Sequence, residues 1–292
     1  MESSMRSLYV DKSRYVEAFR LYVKTSTEHR SMQKFIDSQL PEIISSIGDG
    51  KRTLNILGIG SGSGEIDLQI ISKIQASHPG VRINNDIVEP SEEQILNYKE
   101  LIARTPGLDN VTFTWHKKTC QEYESDITQE GQHRKYDFIH MIQVLYYVKE
   151  IRATLEFYSS CLEPNGKLLI ALLSGHSGCS VLWKKYGSRL PPNDLYMYIS
   201  GAEVEEALSS LGAKYKKYEL ESYRDITECF VEGSRTGELL LDFLTETCDF
   251  KKNAPPDLRD QILADLQSPA CSSTRNGKLI LKNSIGVFVV EE

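Results

Sequence analysis

The segment Gly58-Ile59-Gly60-Ser61-Gly62-Ser63-Gly64-Glu65 places a glycine at every second position, directly after the apolar run Leu54-Asn55-Ile56-Leu57. A backbone free of Cβ atoms can turn sharply there and lets a ligand approach closely. The spacing selects among ligands. Started at Gly58 or at Gly60, the dinucleotide pattern G-x-G-x-x-G puts its third glycine on Ser63 or Glu65, and the Gly-Lys-Ser/Thr of a phosphate loop is absent. The loop therefore predicts a ligand with a close-packed nucleoside end and no pyrophosphate. Twenty-five residues after Gly64, the run Ile87-Val88-Glu89-Pro90 ends in a carboxylate. An ionised acceptor at that place suits two neighbouring ribose hydroxyls. A structural glycine turn and a solvated glutamate are the plainer readings. The strand before the loop and the helix after it favour the binding turn.

These residues need elements to hold them, and the apolar pattern supplies them. Leu54–Leu57, Ile83–Val88, Val111–Trp115, Tyr136–Ile142 and Lys167–Leu173 read as strands; the last is a near-continuous apolar run of the kind buried on both faces. Glu65–Gln75, with Ile66, Ile70 and Ile74 at helical spacing, Ser91–Ala103 and Ile151–Leu162 read as helices. Ser91 and Gln94 have capping-box spacing, and Pro164-Asn165-Gly166 reads as a turn. Later come a helix at Ala202–Leu211, stopped by Gly212, and strands at Ala213–Leu220 and Ser284–Val290. The alternation predicts an α/β fold, a doubly wound, mostly parallel seven-stranded sheet in a single domain. Residues 1–47 look largely helical. The stretch 221–283 is too long for a structureless loop, and Leu239–Thr247 and Pro256–Leu266 within it look helical. Together with an insert at 178–199, these segments are expected to cap the sheet's carboxyl edge, where open α/β sheets bind ligands.

Composition narrows the function classes. Of 292 residues, 40% are hydrophobic and 26% charged, and the net charge of −7 offers no basic face for phosphates. Nucleic acid is not an expected partner, and the lysines of Trp183-Lys184-Lys185-Tyr186 read as a solvated helix face. No run approaches the ~20 apolar residues of a membrane span, and residues 1–6 lack an apolar leader core. Cys120, Cys161, Cys179, Cys229, Cys248 and Cys271 form no C-x-x-C pair, which predicts free thiols in a reducing cytoplasm. His29, His78, His116, His133, His140 and His176 lack metal-ligand spacing, so no metal is expected. Nothing in the pattern marks an oligomer interface, and a monomer is expected.

With the G-x-G-x-G loop and the acidic end of the second strand, the chain resembles the class I S-adenosylmethionine-dependent methyltransferases. It departs from many of them at Leu57, where an acidic residue is usual. Six segments resemble the histamine N-methyltransferase family more specifically: Tyr15–Phe19, Ser26–His29, Asp137–Gln143, Leu145–Val148, Leu182–Arg189 and Asp242–Cys248, with Lys282-Asn283 before the last strand. The resemblance spans essentially the whole chain. It implies that Gly60, Glu89, Gln94, Cys120 and Ile142 line the site of the cofactor, S-adenosyl-L-methionine, with Cys120 where serine is usual. It implies polar substrate contacts at Glu28, Gln143 and Asn283, and a pocket of Tyr15, Phe19, Tyr146, Tyr147, Trp183, Phe243 and Glu246. Cys179 stands in place of a tryptophan, Leu190 in place of an aromatic, and Tyr196 is bulkier than usual.

The implied reaction is methyl transfer to the imidazole ring nitrogen of histamine, which inactivates it. That reaction needs alignment of a lone pair with the methyl carbon, and no covalent or strong acid/base residue. A carboxylate, with Glu28 as the leading choice, and aromatic faces would hold the ammonium. An amide oxygen of Asn283 or Gln143 would accept the proton on the other ring nitrogen. Phe19 and Phe243 also fit a plain core, whereas the adjacent Tyr146 and Tyr147 must point in different directions. Two alternatives stay open at this level. One is methylation of a related imidazole such as carnosine, with Arg189 a possible partner for the extra carboxylate. The other is an S-adenosylmethionine-binding protein without catalysis.

Overall fold

Short β-branched and leucine-rich runs that are buried on both faces have to lie inside a sheet, and helices with one apolar stripe have to cover it. The computed structural model describes residues 5–48, 50–131, 134–192 and 196–291. It opens with helices α1 (Lys12–Thr25), α2 (Glu28–Ser38) and α3 (Leu40–Ile44). The alternating part follows as β1 (Thr53–Ile59), α4 (Glu65–Ser77), β2 (Arg82–Val88), α5 (Glu92–Arg104), β3 (Val111–His116), α6 (Cys120–Glu130), β4 (Tyr136–Ile142), α7 (Ile151–Ser160) and β5 (Leu162–Leu173). Next come α8 (Gly178–Tyr186), α9 (Gly201–Ser210), β6 (Lys214–Leu220) and β7 (Tyr223–Asp225). The chain closes with α10 (Arg235–Thr245), α11 (Phe250–Asn253), α12 (Pro256–Gln267), β8 (Ser272–Arg275), β9 (Lys278–Lys282) and β10 (Ile285–Glu291). Of the expected segments, residues 1–4 and 193–195 lie outside the described residues.

The chain forms two compact units. Unit 2 comprises Met32–Leu172, Glu203–Tyr218 and Val287–Glu292. Its seven strands run in the order β3-β2-β1-β4-β5-β10-β6, and the β1–β2, β2–β3, β1–β4 and β4–β5 pairs are parallel, as the alternation predicts. Leu54, Ile56, Leu57, Phe138, Ile139, Leu168 and Leu169 are fully buried at its centre. Two features differ from the sequence reading. Helix α6 has no counterpart in it, although Thr119 and Glu122 form a complete capping box at its start. Pro164-Asn165-Gly166 does not precede β5 but lies within it, as an irregularity where the register against β4 shifts between Tyr136 and Phe138. Asn165 takes φ 66° there, and a Cβ on Gly166 would lie 2.7 Å from the Glu163 carbonyl oxygen.

Unit 1 comprises Met1–Ser31, Leu173–Ala202 and Glu219–Gly286. The stretch 221–283 is not purely helical. Besides α10 and α12 it holds a three-stranded antiparallel sheet in the order β7-β9-β8, whose strands are only three to five residues long and so leave almost no period to read. A buried ion pair ties α1 to α10: Arg14 Nε donates to Asp242 at 2.5 Å, and Asp242 also accepts the backbone N–H groups of Asp249 and Phe250. Leu8, Ala18 and Leu239 form a small core there, with Tyr15, Leu21 and Phe243 packed against it.

Candidate active site

In unit 2 the glycine loop is a backbone turn that side chains would spoil. Gly60, Gly62 and Gly64 all have positive φ, at 67°, 55° and 84°. A Cβ on Gly60 would lie 2.5 Å from Val144 Cγ2, and one on Gly64 would lie 2.1 Å from the Tyr98 ring. Gly62 instead faces open space, with nothing within 4 Å of its Cβ position. Its N–H donates to Glu89 Oε2 at 2.9 Å, while the Ser91 N–H donates to Glu89 Oε1 at 2.9 Å. An ionised carboxylate has about four acceptor sites. Each Glu89 oxygen therefore keeps one lone pair for a vicinal diol beside the open face of Gly62, which is the fit a ribose requires.

The start of α5 refines the capping reading. Ser91 Oγ accepts the Gln94 N–H at 3.3 Å, but the Ser91 N–H goes to Glu89, so the reciprocal half of the box is not made through Gln94. Ile142 ends β4 half-buried, and Gln143 follows in the left-handed region at φ 55°. Such a conformation is uncommon outside glycine and clusters at sites under functional constraint. It turns the chain so that the next residue, Val144, meets Gly60. Gln143 Oε1 accepts the Tyr146 hydroxyl at 2.8 Å. Tyr146 is buried and Tyr147 is 44% exposed, so the doublet does point two ways.

Unit 1 assembles a polar cluster from distant parts of the chain. Asn283, fully buried, donates its Nδ2 to Glu28 Oε1 and accepts the Tyr22 hydroxyl on Oδ1 at 3.2 Å. The Tyr22 hydroxyl also lies 3.4 Å from Glu28 Oε1, and Arg224 Nη2 stands 3.9 Å from the same oxygen. Burial raises the Glu28 carboxyl above its ordinary value, against the opposing pull of Arg224, Asn283 and Tyr22. Beside the cluster, Tyr15 stacks on Phe19 at 6.1 Å between centroids, and Phe243 lies against Tyr15, Phe19 and Tyr22. Trp183 donates Nε1 to the Leu244 carbonyl at 3.0 Å and meets Tyr196 edge-on. Glu246 is 1% exposed, and its Oε2 has no hydrogen-bond partner.

Comparisons with known proteins establish the family. A methyltransferase-domain family model matches residues 29–217. Histamine N-methyltransferase A of Xenopus laevis is 62% identical over 291 residues, covering 100% of this chain and 99% of the relative. The chain belongs to the histamine N-methyltransferase family. Carnosine N-methyltransferase 2 of Gallus gallus is 47% identical over 288 residues, covering 99% of this chain and 89% of that one. Among solved structures, the YcgJ protein from Bacillus subtilis superposes with a TM-score of 0.52 at 14% identity, covering 90% and 98% of the two chains, which supports the fold alone.

The positions that the resemblance singled out as unusual take definite places. Cys120 Sγ points to the Tyr158 hydroxyl at 3.5 Å, and burial pushes the thiol up to about 11. Its hydrogen bond is thus already engaged inside unit 2. Cys179, fully buried, lies 3.9 Å through Sγ from Asn283 Oδ1, and Leu190 and Tyr196 are buried too. Arg189 does not serve as a free carboxylate partner: it is exposed and bonded to Asp257 at 2.5 Å. Phe19 is 45% exposed rather than enclosed. Among the described residues no group of three or more His, Cys, Asp or Glu is arranged to hold a metal ion, and His133 lies outside them.

Two groups of residues escaped sequence reasoning. Beneath the loop, Asp67 stands 3.5 Å from His140 Nε2 and accepts the Tyr98 hydroxyl at 3.3 Å. A Cβ on Gly58 would strike Ser61 Oγ at 2.4 Å, Asp67 at 2.8 Å and His140 at 2.9 Å, so this pair, together with Ser61, accounts for that glycine. Tyr22 continues the Tyr15–Phe19 stripe at helical spacing, a signal that was available. Arg224 had no signal at all, because its partners lie about 200 residues away.

Proposed function

We propose that this protein transfers a methyl group from S-adenosyl-L-methionine to an imidazole ring nitrogen of histamine. The observation that carries the reading is 62% identity along the full length of a histamine N-methyltransferase, acceptor-side segments included. The polar cluster of unit 1 supports it.

When bound, S-adenosylmethionine supplies a methyl carbon already activated on a sulfonium. The chain's own task is to hold and align. Gly62 leaves room for a close-packed nucleoside, Gly60 lets Val144 pack against the turn, and Glu89 accepts the ribose hydroxyls on its remaining lone pairs. Gln94, Cys120 and Ile142 complete the donor half. For the acceptor, Asn283 is locked by Glu28 and Tyr22, and an imidazole N–H taking the place of the long 3.9 Å Cys179 thiol contact on Oδ1 would leave the other ring nitrogen with its lone pair free. Gln143, fixed by Tyr146, is the second amide of this kind. Tyr15, Phe19, Tyr147, Trp183 and Phe243 supply aromatic faces for the cationic side chain. With alignment as the main contribution, no general base is required before transfer. We further propose that the protein acts as a cytoplasmic monomer without nucleic-acid partners. Its six free, buried cysteines and net charge of −7 support this.

The test is incubation with methyl-labelled S-adenosylmethionine and, separately, histamine, carnosine, histidine and a simple aliphatic amine, with mass spectrometry locating the label. Label is expected on the histamine ring nitrogen. Glu28→Gln and Asn283→Ala should each lower kcat/KM for histamine about 30- to 100-fold, the effect of an unsatisfied buried polar partner, with donor binding retained. Label on the aliphatic nitrogen, or no transfer to any imidazole while the donor binds, would overturn the reading.

A further inference from the structure

Three elements of unit 2 meet at Gly58. In the parallel register of β1 and β4 this glycine lies beside His140. Helix α4, which starts after the glycine loop, brings Asp67 back to the same place: a Cβ on Gly58 would lie 2.8 Å from Asp67 Oδ2 and 2.9 Å from His140 Cε1. Asp67 and His140 are each 2% exposed, and His140 Nε2 stands 3.5 Å from Asp67 Oδ1. Asp67 is the third residue of α4. A carboxylate in a first helical turn ordinarily stays in solvent and complements the helix dipole. This one is buried, which raises its carboxyl above the ordinary value against the opposing pull of His140, Ser61 and Tyr98. A buried ion pair is costly to keep, and apolar side chains of similar volume would often fill its space at less cost.

What the pair touches is the glycine loop, at both ends. At the start of the loop, Ser61 Oγ closes on the same space over Gly58. At its end, the Tyr98 hydroxyl donates to Asp67 Oδ2 at 3.3 Å, and the Tyr98 ring lies against Gly64, where a Cβ would strike it. Between these two anchor points stands Gly62, whose N–H donates to Glu89 Oε2 at 2.9 Å. Nothing lies within 4 Å of the Gly62 Cβ position, so the residues on either side set its place. A shift of the loop would move the Gly62 N–H and disturb the carboxylate that meets the ribose.

We propose that Asp67 and His140 are positioning residues of the donor site: their pairing across the bare Cα of Gly58 holds the glycine loop from beneath, so that Gly62 and Glu89 stay in register for the ribose. The proposal rests on the reading of this loop as the S-adenosylmethionine site and adds to it the groups that support it. Both residues are buried beneath the loop and act through it rather than on the ligand. His140 also stands two residues before Ile142, the end of β4, so the same pair joins the loop to the strand end that closes the donor half.

Calorimetric titration with S-adenosyl-L-homocysteine measures donor-site affinity without turnover. Wild type is compared with Asp67→Asn, His140→Leu, the double variant and Lys51→Met. Each single substitution in the pair is expected to raise Kd about 10-fold, and the double variant to raise it by about the same factor, because the two residues act as one unit. Lys51→Met is the control for stability alone: it removes the 2.7 Å partner of the fully buried Asp137 near the start of β4, and should leave Kd within about twofold. In steady-state kinetics the pair variants should raise KM for the donor, while kcat at saturating donor and KM for histamine stay within about twofold. An unchanged Kd in folded pair variants would overturn the proposal. So would a double variant weakened about 100-fold, which makes the two residues independent, or an equal loss in Lys51→Met, which makes the effect one of general stability. If a pair variant does not fold, Tyr98→Phe decides: it keeps the ring against Gly64, removes the hydroxyl on Asp67 and should raise Kd about 3- to 5-fold, an unchanged value again overturning the proposal. A wild type that binds no S-adenosylhomocysteine would overturn the donor-site reading itself, whereas wild-type binding that no variant weakens sinks this proposal alone.

Discussion

Glu246 should make the stability of unit 1 fall as pH rises. It is 1% exposed, has no hydrogen bond on Oε2, and burial pushes its carboxyl from the ordinary 4.5 up to about 8. The sign follows from proton counting. Between these two values the folded protein keeps a proton that the unfolded chain has released, so folding is progressively disfavoured as pH increases. The stabilisation is complete below 4.5 and gone above about 8. Each pH unit in the window removes about 1.4 kcal/mol, which sets an upper bound near 5 kcal/mol; local relaxation brings the expected loss to about 2–4 kcal/mol.

Glu246→Gln keeps the shape and removes the ionisation. Urea unfolding at about pH 5, 6, 7, 8 and 9 would be followed by Trp183 fluorescence in a Trp115→Phe background. Trp183 is a local reporter because its indole N–H is bonded to the Leu244 carbonyl, two residues before Glu246. Wild type and variant should diverge from about pH 5 upward, the variant becoming the more stable by about 2 kcal/mol or more at pH 8. Parallel profiles across the range would show that the carboxyl is neutralised or solvated in a way this geometry does not contain, and would refute the reasoning.

Gly64→Ala combines a left-handed backbone at φ 84° with a Cβ 2.1 Å from the Tyr98 ring, and should cost about 2–4 kcal/mol and lower donor affinity. Gly62→Ala, at φ 55° with open space around it, should cost only about 1 kcal/mol; equal melting temperatures for the two would exclude the Tyr98 clash as the cause. Arg14→Leu leaves Asp242 buried with only backbone partners and should cost about 3–5 kcal/mol in urea unfolding. A loss below about 1 kcal/mol would mean the pair behaves as if solvent-exposed.

The parts of this protein that could be read from the sequence are those whose cause is local. The loop from Gly58 to Gly64 and Glu89 belong to one βαβ unit, so spacing alone predicted their meeting, and the Glu89–Gly62 hydrogen bond is that meeting. Helix α6 was equally local, and the Thr119–Glu122 capping box announced it. The three-stranded sheet of unit 1 was not legible, because strands of three to five residues carry too little alternation to separate from loop. Asp67 and His140 looked like ordinary residues of a helix and a strand. Their pairing depends on β1 and β4 lying side by side, a fact of topology rather than of pattern.

Glu28 shows how much a charge depends on such non-local partners. Read alone, it is a carboxylate at the start of a helix and an obvious anchor for an ammonium. In the folded chain Arg224 stands 3.9 Å away, Asn283 donates to it, and the Tyr22 hydroxyl completes its shell. A carboxylate so surrounded acts mainly through what it orders, and the group it orders most firmly is the Asn283 amide. Glu246 has the opposite character: no pattern marks it out, yet it retains a free oxygen in a dry site. Burial pushes the Glu246 carboxyl up to about 8, so it keeps its proton at neutral pH, and the two carboxylates differ in kind: Glu28 orders Asn283, whereas Glu246 responds to pH.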